Sequence, residues 1–327
     1  MQEVYYLYGT ILTGEAVAAN NRGDNIGNTT TLQKVFHQDD VHTSVSAEAI
    51  RFALRYRFQL EDPESVNRSY YSDKGKLEYK DEKISNWDPN GSVYIDDDLM
   101  GFMDAEAATQ EKEEELEDES EVSAGKKSKK SKDKPKGKVT KRQSPLAIAR
   151  AVSLRPYRGE LSFNCVSGEK TKGQLSLYSA EMHTTEYQYS FGLNLGDVVN
   201  KVHIRQLIEA IIDPPQVAGN HARFAYDFSP ASIVLRLTSA HSSRIQNCFE
   251  HDELNRSYTL EKLIYRVEAK DIPASELIVG GEVARTEEGK QLKKLGVMVL
   301  PGVYAAAEEA RKRIAAIADE YQVVAGG

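Results

Sequence analysis

Between residues 105 and 143 the chain loses the means to build a core. Glu111–Glu121 holds eight acidic residues and one lysine, and Lys126–Arg142 holds ten basic residues and one aspartate. The stretch has no aromatic residue, and Gly, Ser and Pro punctuate it. It buries too little apolar area to offset the entropy of ordering, so 105–143 is expected to be a disordered loop. The folded body must then be assembled from chain on both sides of it. The stretch carries a net charge of +1 while the whole chain carries −8, which leaves −9 on the remainder. Any site for a polyanion must therefore be a local basic track on an acidic body. The two charged blocks can pair with each other in a solvated loop. The sharper alternative is that Lys126–Lys138 touches nucleic acid without sequence preference.

A length of 327 residues allows one large domain or two ordinary ones. Cys165 and Cys248 do not form a C-x-x-C pair, which argues against a disulfide framework or a cysteine zinc site and suits a reducing compartment. The N-terminus lacks a basic flank followed by an apolar run. No apolar run approaches the ~20 residues that span a bilayer. These features lead to the expectation of a cytoplasmic protein with no membrane partner and no cofactor.

Hydrophobic spacing gives the elements. Val4–Thr13 reads as a strand. Ser46–Arg57 reads as a helix with Ala47, Ile50 and Leu54 on one face and Glu48, Arg51 and Arg55 on another. Val93–Met103 reads as a second strand, and Gln143–Leu154 as a helix opened by Ser144-Pro145. His183–Leu195 alternates as a half-buried strand does, with Tyr187 and Tyr189 on the core face. Asn200–Ile212 is an amphipathic helix stopped by Pro214-Pro215. Arg223–Phe228 and Ser232–Thr238 read as strands, and Tyr304–Tyr321 as a last helix. The order strand, helix, strand, strand, helix, strand is an α+β arrangement, the split βαβ or ferredoxin-like plan of RRM-type RNA binders.

Five blocks carry a resemblance: Ala18–Asp24, Val45–Arg55, Asp96–Met103 continuing after the loop at Arg142–Leu146, His183–Phe191 and Val217–Phe224. In this order, over most of residues 4–240, they resemble the DevR family, the backbone subunits of type I CRISPR effector complexes (Cascade), with the flavour of subtype I-B. The resemblance implies an RRM-like palm from residues 1–104 and 144–254. Fingers would be inserted at about 58–92 and a β-hairpin thumb at about 155–181, with residues 255–327 packing on the palm as an extension. It also implies copies stacked head to tail along a guide RNA (crRNA). Each thumb displaces one nucleotide, and the guide between thumbs pairs with target DNA, so the protein itself needs only backbone and shape contacts. The implied partners are crRNA, target DNA through the guide, further copies of the chain and other Cascade subunits. Helicase-nuclease or transposition proteins are the open extras.

The same resemblance turns ordinary polar residues into RNA-binding candidates. Asn21 and Arg22 would clasp the guide backbone, with Arg22 forking onto a phosphate, and Lys34 continues that loop. Ser46 opens a helix whose free N–H groups suit an anion. Arg51 and Arg55, one turn apart, are expected to face phosphates, so that their replacement would leave folding intact. The family has Gln at the position of Glu48 and a basic residue at that of Phe52, which weakens this part of the match. Met103 is either an apolar wedge beside the displaced nucleotide or core packing. In the thumb, Leu161 and Phe163 are expected to face Leu175 and Leu177, with Lys170 and Lys172 at the tip. Asn220, His221 and Arg223 lie in a polar glycine loop, where the family usually has Lys and Gln for the first two.

No Walker loop, H-E-x-x-H or G-x-S-x-G occurs, and the chain reads as a binding protein without catalytic residues. The rival reading comes from type III CRISPR complexes, whose related subunits cleave target RNA with a loop aspartate; Asp24, Asp39 and Asp40 occupy that loop here. A third reading, a DNA-binding developmental regulator, would call for a helix-turn-helix pattern, and none stands out.

Overall fold

The computed structural model describes residues 5–19, 25–37, 39–71, 76–82, 84, 87–88, 92–103, 141–165, 177–218, 226–253 and 257–325. The strands up to the charged segment are β1 (Tyr6–Thr13), β2 (Ala16–Ala18), β3 (Asn25–Ile26), β4 (Thr29–Thr30), β5 (Lys34–His37), β6 (Asp40–Val45), β7 (Arg68–Tyr71), β8 (Lys76–Tyr79) and β9 (Phe102–Met103). After it come β10 (Lys141–Arg142), β11 (Leu146–Ile148), β12 (Ala151–Ser153), β13 (Glu160–Cys165), β14 (Leu177–Thr185), β15 (Tyr187–Asn194) and β16 (Pro230–Thr238). The last four are β17 (Glu250–Asp252), β18 (Ser257–Thr259), β19 (Leu277–Gly281) and β20 (Met298–Leu300). Six α-helices lie among the described residues: α1 (Ala47–Glu61), α2 (Ile95–Met100), α3 (Val202–Ile212), α4 (Glu261–Glu268), α5 (Glu287–Lys294) and α6 (Val303–Ala325). None of the described helices is long and apolar enough to cross a membrane.

Nine strands form one sheet in the order β20-β19-β16-β1-β15-β12-β6-β5, with β11 also on β15; its pairs are antiparallel except β19 with β20. In chain order the central four, β16-β1-β15-β12, stand fourth, first, third and second. α1 lies between the first and second in sequence and α3 between the third and fourth. Leu7, Ile11, Tyr187, Tyr189, Phe191, Leu193, Ile233 and Leu235 face one way and pack against Ile50, Leu54 and Phe58 of α1 and Ile204, Leu207 and Ile211 of α3. The ring of Phe191 lies on Gly9, where a Cβ would come within 2.2 Å of it, so any other residue at this strand position would displace the ring.

The other sheet face is covered too. Leu12 and Val234 pack with Ile245, Cys248, Phe249, Leu263 and Ile264 in a second core. The polar side chains caught beneath are satisfied, as buried groups must be. The Gln188 amide donates to the Phe249 carbonyl and accepts from the Phe249 N–H, both at 3.0 Å, and the Thr10 hydroxyl donates to the Ile245 carbonyl at 2.8 Å. The alternation of β15 therefore signals two cores of different polarity, where half-burial was expected. Tyr187 and Tyr189 are core residues, as read.

Two expected elements exchange type. Residues 93–103 form the short helix α2 and a two-residue strand. In a strand, Asp96 and Asp98 would share a face and Asp97 would oppose them. A helical turn fans the three carboxylates toward three different sets of donors. Residues 143–154 form β11 and β12, not a helix. Ile148 stands opposite Phe191 and Val152 opposite Gln188, so four steps on one strand match three on the other. This one-residue bulge breaks the alternation, so that Leu146, Ile148 and Ala151 face the first core while Val152 stands on the other face, opposite Gln188. Residues 226–228 are not in a strand, and 223–225 fall outside the described residues. Residues 141–143, expected to belong to the disordered loop, are ordered parts of the body.

At the junction of β6, β12 and β14, His183 is buried, and its Nδ1 is 2.8 Å from the Thr43 hydroxyl. Burial pushes the imidazole down from 6.5 to about 4. The unfolded chain takes up this proton as pH falls through 6.5, and the folded chain resists until about 4. Stability is complete above that window and is lost within it, by ~3 kcal/mol at ~1.36 kcal/mol per unit. Urea titrations at neutral and acid pH should show His183→Gln losing less stability on acidification than wild type, by about that amount. Equal losses would contradict the assignment.

Candidate nucleic-acid interface

The chemistry converges on α2, in which all six residues are buried, including Asp96, Asp97 and Asp98. Three adjacent buried carboxylates need matched donors. Asp96 accepts from the Asn67 N–H at 2.8 Å, the Arg68 N–H at 3.2 Å and Arg68 Nε at 2.8 Å. Asp97 accepts from Asn67 Nδ2 and Arg68 Nη2, both at 2.8 Å. These bonds fasten the start of the β7–β8 hairpin to α2. Gln59 of α1 secures the next residues, donating to the Tyr70 carbonyl at 2.9 Å and accepting its N–H at 2.7 Å. Phe52, in the place of a basic residue, stacks on Tyr56, and both rings meet Tyr70 edge-on. Burial, then the neighbouring Asp96 charge, raises the Asp97 carboxyl to about 6.

Asp98 ties a different region. It accepts from Arg142 Nη2 at 2.7 Å, the Val199 N–H at 2.9 Å and the Asn200 N–H at 3.0 Å, and lies 2.8 Å from His203 Nδ1. Burial pushes this carboxyl up, but the bonds from His203, Val199 and Asn200 outweigh burial and leave it below its ordinary range. The carbonyls at the end of α2 are satisfied by side chains. Asp98 O accepts from Arg142 at 3.1 Å, Leu99 O from the Ser144 hydroxyl at 3.1 Å, Met100 O from Arg51 at 2.8 Å and Gly101 O from Arg68 at 3.3 Å. Three cations at a helix C-terminus also match its dipole.

This cage sets the path of the chain beyond α2. Gly101 turns it with φ 68°, and β9 pairs with β10, Phe102 opposite Arg142 and Met103 opposite Lys141. The Arg142 guanidinium stacks on the Trp87 ring at 4.6 Å, and Phe102 meets the same ring edge-on. Met103 is 59% exposed, so it is not a core residue.

The α1 residues turn out differently from expectation. Ser46 is the N-cap, and its hydroxyl accepts from the Ala49 N–H at 3.2 Å. The Glu48 carboxylate is held below its usual range first by its own backbone N–H, so a side chain of the protein already answers the positive end of this helix. Arg51 points inward to the carbonyls of Met100 and Leu146, the latter at 3.0 Å. Arg55 sits with Nε 3.5 Å from Asp96, and burial lowers its guanidinium to about 10. Both arginines brace α2, so their removal is not neutral for folding. The acceptors lie far away in sequence, which the helical spacing of the pair cannot reveal.

Lys34 donates to Glu181 at 2.7 Å and lies 4.8 Å from the Tyr157 ring centre. Glu181 belongs to β14, which joins a second sheet in the order β13-β14-β4-β3, with β2 also on β14. Arg155 secures the base of the β13–β14 hairpin with two 3.0 Å bonds to Glu186 and a further bond to Glu15. The hairpin register differs from expectation: Leu161 stands opposite Glu181 and Phe163 opposite Ser179. Ser179 pairs in turn with Thr29 and Thr29 with Ile26, so Phe163 and Ile26 end one cross-strand row, 72% and 73% exposed. Asp39 and Asp40 lie at the exposed turn of the β5–β6 hairpin. Asn21, Arg22, Asp24, Lys170, Lys172, Leu175, Asn220, His221 and Arg223 fall outside the described residues.

Arg68, Asn67, Gln59 and Arg142 were not singled out from sequence. Their signal was there: three consecutive aspartates inside an otherwise apolar run demand buried donors from elsewhere.

No protein-family model matches the chain. A curated relative, "CRISPR-associated protein Cas7/Cst2/DevR" of Myxococcus xanthus (strain DK1622), is 37% identical over 318 residues, covering 94% of this chain and 97% of that protein. Two solved structures share the fold. "CRISPR RNA-guided surveillance complex" has a TM-score of 0.55 and 13% identity, covering 93% of this chain and 99% of that one. "CRISPR RNA-guided surveillance complex, pre-nicking" has a TM-score of 0.57 and 10% identity, covering 93% and 100%. With a relative this similar along almost its full length, and with the α2 motif and the elements around it in place, the chain belongs to the Cas7/Cst2/DevR family of CRISPR-associated proteins.

Proposed function

We propose that this protein is the crRNA-binding backbone subunit of a type I CRISPR surveillance complex, of subtype I-B. Copies assemble head to tail along the guide and leave its bases free to pair with target DNA. The observation that carries this reading is the 37% identity to the Cas7/Cst2/DevR relative across nearly the whole of both chains. The four-strand order fourth, first, third, second supports an RRM-like palm. The β7–β8 hairpin serves as fingers and the β13–β14 hairpin as thumb. Because Ile245–Phe249, α4 and α5 pack on the second sheet face, the guide runs along the rim of this palm. Asn21, Arg22, Lys34, Ser46, Lys170, Lys172, Asn220, His221 and Arg223 are the proposed guide contacts. Met103 wedges beside the displaced nucleotide. Arg51 and Arg55 serve from beneath, by holding α2. In this reading the protein binds and does not cleave.

Sequencing of nucleic acid that co-purifies with the protein should yield short RNAs with repeat-derived ends. Preparations free of such RNA, even when the other subunits of the complex are co-expressed, would refute the proposal. Regular cuts in complementary RNA would favour a cleaving subunit instead.

A further inference from the structure

The β9–β10 ribbon has two unlike faces. Neighbouring residues of a strand point to opposite sides, and directly paired residues point to the same side. Arg142 and Phe102 share the inner side, pinned to Asp98 and Trp87. Met103 and Lys141 therefore share the outer side, and both are exposed. The Lys141 side chain makes no hydrogen bond or ion pair among the described residues, whereas Lys34, Arg51, Arg55, Arg68, Arg142 and Arg155 are all engaged by internal acceptors. The ribbon thus presents one apolar side chain and one unspent cation side by side, on a mount fixed by four arginine-held or serine-held carbonyls.

From this we infer that Lys141 is a guide-binding residue: its ammonium takes the phosphate of the nucleotide that Met103 unstacks. The assignment rests on the proposed role as a backbone subunit. Unstacking a base leaves its phosphate bent away from the strand axis, and a flexible point charge beside an apolar wedge suits that ligand. The ligand asks for one positive charge at this place, which a lysine or an arginine supplies. Arg142 is a positioning residue here. Its contacts are internal, and its part is to keep Lys141 and Met103 facing outward. A second protein chain seated on the Met103–Lys141 pair is the competing occupant. The unpaired cation favours the polyanion.

The test uses the full chain assembled on a single-stranded guide, with affinity measured over a series of salt concentrations and 2-aminopurine placed at successive guide positions. Lys141→Ala should reduce the log–log salt slope by ~0.7 per subunit, the contribution of one phosphate on a single strand, and Lys141→Arg should restore it. Met103→Ala should keep the slope and dim the 2-aminopurine signal at one position per subunit. A slope indifferent to Lys141→Ala overturns the assignment while the backbone role stands. So does a Lys141→Ala defect confined to self-association without RNA, which would mark a protein contact. Wild-type protein that retains no guide overturns the backbone role and this assignment together.

Discussion

Asp98→Ala should cost about 3–5 kcal/mol of folding stability, the range for breaking a buried ion pair from one side. The side chain is fully buried and answers Arg142, His203 and two backbone N–H groups. Alanine leaves the Arg142 charge without its counter-ion and the two N–H groups before α3 without their acceptor. Water entering the space would recover only part of this. Asp98→Asn should fall between wild type and alanine, because the amide oxygen still accepts but the charge is gone. The denaturant midpoint should move with little change in slope, since the surface exposed on unfolding is nearly the same. A midpoint shift equivalent to less than ~1 kcal/mol, on the order of an exposed pair, would show that the Asp98 network is not what holds α2 in place.

Gly101→Ala should destabilise by ~3 kcal/mol, from backbone geometry and steric overlap together. Gly101 has φ 68° and ψ 177°, a region open essentially to glycine, where another residue costs ~1–3 kcal/mol. An added Cβ would also stand 2.5 Å from the Arg142 carbonyl oxygen and 2.8 Å from the Ser144 nitrogen. Both are backbone atoms of the chain re-entering from the charged segment, so neither can yield alone. The variant must either push β10 off β9 or unwind the end of α2. Either response disturbs Met103, so under the proposed role of Met103 guide unstacking should weaken along with stability. Thermal unfolding checks the first effect and 2-aminopurine fluorescence the second. Unchanged stability in Gly101→Ala would mean that this turn relaxes freely.

Both expectations concern Asp96–Met103, where the sequence was hardest to read. β1, α1, β15, α3, β16 and α6 were legible because each carries its own period of apolar residues. α2 carries none. Its helical form comes from partners 29 residues upstream, at Arg68, and 105 residues downstream, at His203, and no local pattern encodes those distances. The bulge between Ile148 and Val152 hid a strand for a related reason, since its extra residue is defined only against β15. Of the candidate site, the exposure of Met103 and the helix-opening place of Ser46 follow the reading, but side-chain chemistry cannot tell a guanidinium that meets solvent from one that caps a helix. Arg51 and Arg55 were therefore read as surface cations, and Lys141 and Arg142 were counted among the residues of a charged tract.

The facing of Met103 and Lys141 has a wider consequence. The body closes the circuit there by itself, so residues 104–140 leave and rejoin through a single gate. The free energy of closing such an excursion grows only by ~0.6 kcal/mol per doubling of its length. A change in the number of residues between Met103 and Lys141 is therefore expected to leave the described body folded, provided that Met103, Lys141 and Arg142 are kept.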